Sequence, residues 1–134
     1  MNNTIYKKSV ARGDIYFADL PKTKGSSQWG ERPVVILQNN TGNMHAPTVI
    51  VASMTTANKS KYLPTHVCIN REDVIFESLH ASKIFRASII MFEQVHTLDK
   101  SLLKEKIGRL SHIGRFGNKF DMALMTSLGI RQRA

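Results

Sequence analysis

The chain has 134 residues, a length that fits one domain whose core is large enough to need no disulfide or metal staple. Its 42% apolar content argues against a wholly disordered chain, and the single cysteine, Cys68, excludes an internal disulfide and any cysteine-rich zinc site. Nineteen Lys and Arg against ten Asp and Glu leave a net charge of +9, which favours a polyanionic partner.

Residues 1–11 are polar and form a candidate leader without the apolar core of a signal peptide. No run in the chain reaches the roughly 18 apolar residues that a membrane span needs, so a soluble, cytoplasmic protein is expected, with residues 12–134 as its single domain. Residues 14–20 are aromatic and branched, a strand pattern closed by Pro21. A polar loop without periodicity follows over 22–31. Residues 34–37 (Val-Val-Ile-Leu) then form a short continuous apolar run, the pattern of a strand buried on both faces. Asn39, Asn40, Gly42, Asn43 and Pro47 mark a turn region. Further strands are expected over 48–54, 65–69, 74–76 and 88–92, whereas 77–87 carries no clear period.

The pattern then changes. Asp99 is a candidate cap for a helix whose apolar positions Leu103, Ile107 and Leu110 recur at three and four residues, and Phe120, Leu124 and Leu128 repeat that spacing up to a stop at Gly129. Several short strands followed by helices predict an α+β fold: a small curled antiparallel sheet or barrel with a C-terminal helical cover.

Most catalytic chemistries fail on spacing. His45, His66, His80, His96 and His112 lie fourteen to twenty-one residues apart, with no pair at helical metal-site spacing, and Glu72-Asp73 is the only adjacent acidic pair. The stretch from Gly25 to Gly30 lacks the Gly-Lys-Ser/Thr ending of a phosphate loop, no nucleophile elbow is present, and Cys68 sits in a strand pattern that suits core packing. What remains is Arg32-Pro33. Proline holds the preceding residue extended, so Arg32 stands where the polar loop enters a buried strand, with a planar donor fork suited to phosphate. Thr55, at the end of the next strand, can converge on it in a curled sheet. The last 35 residues add eight Lys or Arg against two acids, either a solvated helical face or an anion-binding one.

In this order the motifs resemble the MazF/PemK family of toxin–antitoxin endoribonucleases. The matching stretches are residues 12–20 (opening Arg12-Gly13-Asp14), 25–35 (Gly25-Ser26-Ser27-Gln28-Trp29-Gly30-Glu31-Arg32-Pro33-Val34-Val35), 38–43 (Gln38-Asn39-Asn40-Thr41-Gly42-Asn43), 47–52 (Pro47-Thr48-Val49-Ile50-Val51-Ala52), 63–67 (Leu63-Pro64-Thr65-His66-Val67) and 93–100 (Glu93-Gln94-Val95-His96-Thr97-Leu98-Asp99-Lys100). The resemblance implies an SH3-like barrel acting as a homodimer in the bacterial cytoplasm. It implies metal- and cofactor-independent, sequence-selective cleavage of single-stranded RNA by its own 2′-OH, leaving a 2′,3′-cyclic phosphate and a 5′-OH. Arg32 and Thr55 match the catalytic arginine and threonine, and Ser27, Gln28, Trp29 and Gln94 fall at candidate RNA contacts. A cognate MazE/PemI-like antitoxin with an acidic C-terminal segment is the implied partner. The alternatives are a barrel toxin acting on a protein such as gyrase, and an RNA-binding module that does not cleave.

Three departures stand out against the family pattern. Ser27 occupies a position where many members carry an acid, which leaves the general base unassigned. Trp29 replaces a small residue and can either stack on a base or pack against a protein partner. The stretch 76–88, with His80, Lys83, Phe85 and Arg86, is longer than usual, as either an extended surface hairpin or a further RNA contact.

Overall fold

The computed structural model describes residues 9–22, 25, 29–56, 63–111 and 118–130. Ser27 and Gln28, most of the polar leader, His112 and Arg115 lie outside the described residues. Seven strands, β1 (Asp14–Leu20), β2 (Gly30–Ile36), β3 (Thr48–Thr56), β4 (His66–Ile69), β5 (Val74–Phe76), β6 (Ser88–Asp99) and β7 (Leu103–Leu110), form one curled antiparallel sheet. Their order is β4-β6-β3-β2-β1-β7-β5. Among the described residues three short α-helices accompany the sheet: α1 (Asn40–His45), α2 (Leu79–Ile84) and α3 (Lys119–Leu128).

Both sheet faces are apolar, as the run at 34–37 requires. Val35, with Ile15, Met54, Phe92 and Ile107, belongs to the larger core cluster, under α2 and α3. Val34 and Ile36 join Tyr16, Ala18, Val49 and Leu103 in a second cluster on the opposite face. The chain ahead of β1 is held to this second face, with Val10 packed on it and the Tyr16 hydroxyl donating to the Ser9 carbonyl at 3.1 Å. Burial, with Asp14 and Glu77 adding to it, pushes the Tyr16 phenol up to about 12.

The C-terminal helix follows its sequence signals. Asn118 accepts from the Asp121 amide at 2.8 Å, and Gly129 ends α3 in the left-handed region at φ 72°. Phe120 meets Phe92 edge-on at 5.0 Å, and Arg12 stacks over Phe120 while pairing with Asp121 at 2.6 Å, so α3 is tied to the start of β1.

The helix expected after Asp99 is instead a strand. Asp99 does cap, accepting from the Ser101 amide at 2.9 Å, but the turn it opens is a single 3₁₀ turn at Lys100–Leu102 before β7 begins. Leu103 faces the second cluster, whereas Ile107 and Leu110 face the first. Their spacing is therefore not a helical stripe. Two register shifts against β1 stretch a two-residue period into one that mimics three and four. The turn region at 39–47 likewise contains a helix, α1, capped by Asn39 accepting from the Gly42 amide at 2.8 Å.

The aperiodic stretch 77–87 contains α2, capped by Ser78, rather than a plain hairpin. It is fixed from two sides: Phe85, at its C-cap, meets Phe76 edge-on at 5.4 Å, and Arg71 both lies over Phe76 and donates to the Ser82 carbonyl at 2.6 Å. Gly108 lets β5 approach β7, since a Cβ there would lie 2.3 Å from the Ile75 carbonyl oxygen. These contacts set the end of α2 and the start of β6 beside the open ends of β2 and β3.

Candidate active site

The site forms where a ladder stops. β1 and β2 pair from Ile15–Val35 to Leu20–Gly30, with Arg32 opposite Ala18, but β2 and β3 are paired only at Val34–Ser53, Val35–Ala52 and Ile36–Val51. Continuing that register two residues toward the strand ends brings Arg32 opposite Thr55, and Glu31 opposite Thr56. With no ladder to close the gap, the strands part around a cleft of about 520 Å³, well inside the ~300–1,000 Å³ usual for ligand sites.

Its lining combines an apolar floor with a charged rim. Phe17, Pro33, Met54, Phe85 and Ile107 supply the floor; Trp29, Glu31, Arg32, Thr55, Thr56, Arg86 and Ser88 bring polar or aromatic groups. Gly30, at φ 87°, turns the chain into β2. The Arg32 Nε donates to the Trp29 carbonyl at 3.1 Å, which steadies the guanidinium and leaves both terminal nitrogens without a partner among the described residues. The Thr55 hydroxyl is likewise without a partner among them. Trp29 is 49% exposed, with the Lys22 ammonium 4.9 Å from its ring centre. Arg86 reaches the cleft from the far wall, its carbonyl accepting from the Ser88 hydroxyl at 2.7 Å. A planar cation facing a hydroxyl, with a second cation across the cleft and an exposed indole, suits a phosphodiester flanked by a base.

Arg32, Thr55 and Trp29, singled out from sequence, thus meet in one cleft. Gln94 does not line it. It lies half-buried in the bulge of β6 between Met91 and Val95, where β3 pairs Ser53 with the first and Ala52 with the second. Glu31, Thr56 and Ser88 were not foreseen; Glu31 follows from alternation once β2 is known to begin at Gly30, because it shares a sheet face with Pro33. Arg86 was visible only as part of a basic-aromatic stretch.

Away from the cleft, Glu93 accepts from the Thr65 hydroxyl at 2.6 Å and lies 2.9 Å from the His66 Nε2. Burial pushes its carboxyl up, but these hydrogen bonds outweigh it and hold it below the usual range. His96 is pushed down by burial, its Nε2 enclosed without a hydrogen-bond partner among the described residues. Among the described residues no three His, Cys, Asp or Glu gather as metal ligands, and no helix is long and apolar enough to cross a membrane.

A small curled β-barrel with an anion-receptive cleft at its open strand ends defines the class of protein. More particularly, the chain belongs to the PemK-like, MazF-like toxins of type II toxin–antitoxin systems, the family whose pattern matches residues 11–113. It is 45% identical over 121 residues to the endoribonuclease MazF of Staphylococcus epidermidis, covering 90% of this chain and 92% of that protein. Among solved structures, an endoribonuclease from a mycobacterial species superimposes with a TM-score of 0.70 at 24% identity, over 94% of this chain and 97% of that one. A mycobacterial endoribonuclease in complex with its cognate antitoxin gives 0.69 at 25% identity, over 92% and 99%. MazF from Deinococcus radiodurans shares the fold at 0.62, with 15% identity over 92% and 99%.

Proposed function

We propose that this chain is the endoribonuclease toxin of a type II toxin–antitoxin pair and that it cuts single-stranded RNA in the cleft between β2 and β3. The observation that carries the reading is that Arg32 and Thr55 line the same cleft at the open end of the two strands. The 2′-OH of the nucleotide at the cut attacks its own 3′-phosphate, giving a 2′,3′-cyclic phosphate and a 5′-OH. Arg32 stabilises the charge that builds on the phosphate oxygens, and Thr55 donates a hydrogen bond to the same group. Trp29 stacks on a neighbouring base, Ser27 and Gln28 contact RNA from the loop, and Gln94 does so from β6. The +9 charge steers the strand to the protein.

The toxin acts as a homodimer in the bacterial cytoplasm, and its antitoxin inhibits it by laying an acidic, MazE/PemI-like segment over the same basic surface. The mycobacterial relative solved with its cognate antitoxin supports that pairing, and an acidic segment that orders on binding suits the excess of Lys and Arg.

Cleavage of a long single-stranded RNA in EDTA, wild type beside Arg32→Ala, tests the reading. Discrete cuts with cyclic-phosphate ends, absent in the variant, are expected. RNA left intact by the wild-type protein would overturn it.

A further inference from the structure

The proposed reaction needs a group to take the proton of the 2′-OH, and neither Arg32 nor Thr55 suits that task. A guanidinium stays protonated and a hydroxyl is a weak base. The loop ahead of Trp29 supplies none either: residues 23–28 are Thr-Lys-Gly-Ser-Ser-Gln, with neither carboxylate nor imidazole. Among the described residues lining the cleft there is one side chain with a carboxylate or imidazole, Glu31.

Its placement follows from the strand. Side chains alternate along β2, so Glu31 lies on the face of Pro33 and, by the cross-strand register, of Phe17, both of which line the cleft floor. Arg32 is its immediate neighbour. The charged groups around it are Asp19, directly opposite on β1; Lys104 on β7, with its Nζ 3.7 Å from the Glu31 Oε2; Arg32 on its own strand; and Arg86 from the far wall. Lys104 is the one of these at ion-pair distance. The Glu31 side chain is 61% exposed and Lys104 52% exposed, so the ion pair is a loose surface contact that an incoming substrate can displace.

Resting on the endoribonuclease reading above, we propose that Glu31 is the general base of this cleft, taking the place of the acid missing at Ser27. The Glu31 carboxylate takes the proton as the 2′-O–H bond breaks. The freed electron pair forms the 2′-O–P bond, and the P–O5′ bond breaks with its electrons leaving on the 5′-oxygen. That oxygen takes a proton from water, and Glu31 returns its own to solvent, so the cycle closes without any change of oxidation state.

The test is steady-state cleavage of a fluorogenic single-stranded oligonucleotide built around a cut site mapped with the wild-type protein, across pH, with thermal melts confirming folded variants. Glu31→Gln is expected to lower kcat about 100-fold or more with KM within threefold, and to lose the acid limb of the kcat profile. Glu31→Asp is expected to keep that limb and part of the rate, and Lys104→Ala to keep kcat within threefold. Wild-type-like turnover by Glu31→Gln overturns the assignment. So does an equal loss in Lys104→Ala, which would place the effect in the ion pair. If the wild-type protein makes no cuts, the endoribonuclease reading itself falls, a result distinct from either of these.

Discussion

Arg32 of β2 and Thr55 of β3 line one cleft, each two residues past the last paired residues of the two strands, Val34 with Ser53. Within a ladder, two such side chains would stand at strand spacing with their backbones locked together. Beyond its end the backbones separate, and the space between becomes the cleft. Among the described residues the guanidinium is held through its Nε alone, by the Trp29 carbonyl, which leaves the donors of its two terminal nitrogens for whatever enters.

Replacing Arg32 by Ala is expected to lower kcat by about 10²- to 10³-fold, the usual cost of one preorganised donor at a developing oxyanion. Arg32→Lys should lose much of the rate as well, because it keeps the charge but not the fork. Thr55→Ser should retain most turnover and Thr55→Val little, since only the first keeps a hydroxyl. Single-turnover cleavage checks all four variants. A fully active Arg32→Lys would reduce the arginine to a point charge.

Trp29 is the only tryptophan in the chain, so its emission reports on the cleft directly. One face carries the Lys22 ammonium, and the ring is about half exposed. Titration with a single-stranded RNA is expected to quench its fluorescence. Trp29→Ala should weaken binding by about 1–3 kcal/mol, the range for base-aromatic stacking. Unchanged emission at saturating RNA would move the indole out of the substrate path.

Arg86 offers a cation from the opposite wall, with no hydrogen bond or ion pair to its side chain among the described residues. If it meets a phosphate, Arg86→Gln should raise KM while shifting kcat little, and should flatten the salt dependence of binding by about 0.7 in the logarithmic slope. Lys83→Gln, on α2 but outside the cleft lining, serves as the control with an unchanged slope. Equal slopes for Arg86→Gln and wild type would remove Arg86 from the RNA path.

The strands of the barrel were legible in the sequence because their residues obey simple rules: β1 ends at a proline, and 34–37 is apolar without alternation because both faces of β2 are buried. The last helix was legible through Phe120 and its glycine stop. What misled was β7, where bulges against β1 displaced Leu103, Ile107 and Leu110 into apparent helical spacing while sending them to opposite faces. In the site, Arg32 was visible through its proline and Thr55 through its strand end. Their facing was not, because register depends on which strands pair and where the pairing ends. Glu31 and Arg86 stayed hidden for the same reason: a loop residue and an insertion become cleft residues only once β2 starts early and α2 packs beside it.

Gly108 tests how far that packing positions the site. Alanine there would bring its Cβ to 2.3 Å from the Ile75 carbonyl oxygen and 3.0 Å from the Phe76 Cα, both backbone atoms that cannot swing aside. Gly108→Ala is therefore expected to destabilise the protein by about 1–3 kcal/mol or more, as overpacking does, and to loosen β5, α2 and the turn after α2 that carries Arg86. Urea unfolding checks the first effect and RNA KM the second. A variant of wild-type stability would show that β5 can withdraw without cost.

The pH dependence of stability is set in part by His96 on β6, opposite Val51 of β3. Burial holds its imidazole below the ordinary value of about 6.5. The unfolded chain therefore binds this proton at a higher pH than the folded one does, and acidification favours unfolding. The contribution is complete above about pH 6.5 and is lost as pH falls through the lowered folded value. Glu93 is also held low, but it titrates in the carboxylate range, so a comparison of about pH 7.5 with about pH 5.5 excludes it, and His96→Leu separates His96 from the other four histidines. Over that interval urea unfolding should show the wild-type protein losing more stability than His96→Leu, in which nothing titrates at this position. Equal losses in the two proteins would assign the acid sensitivity to other groups.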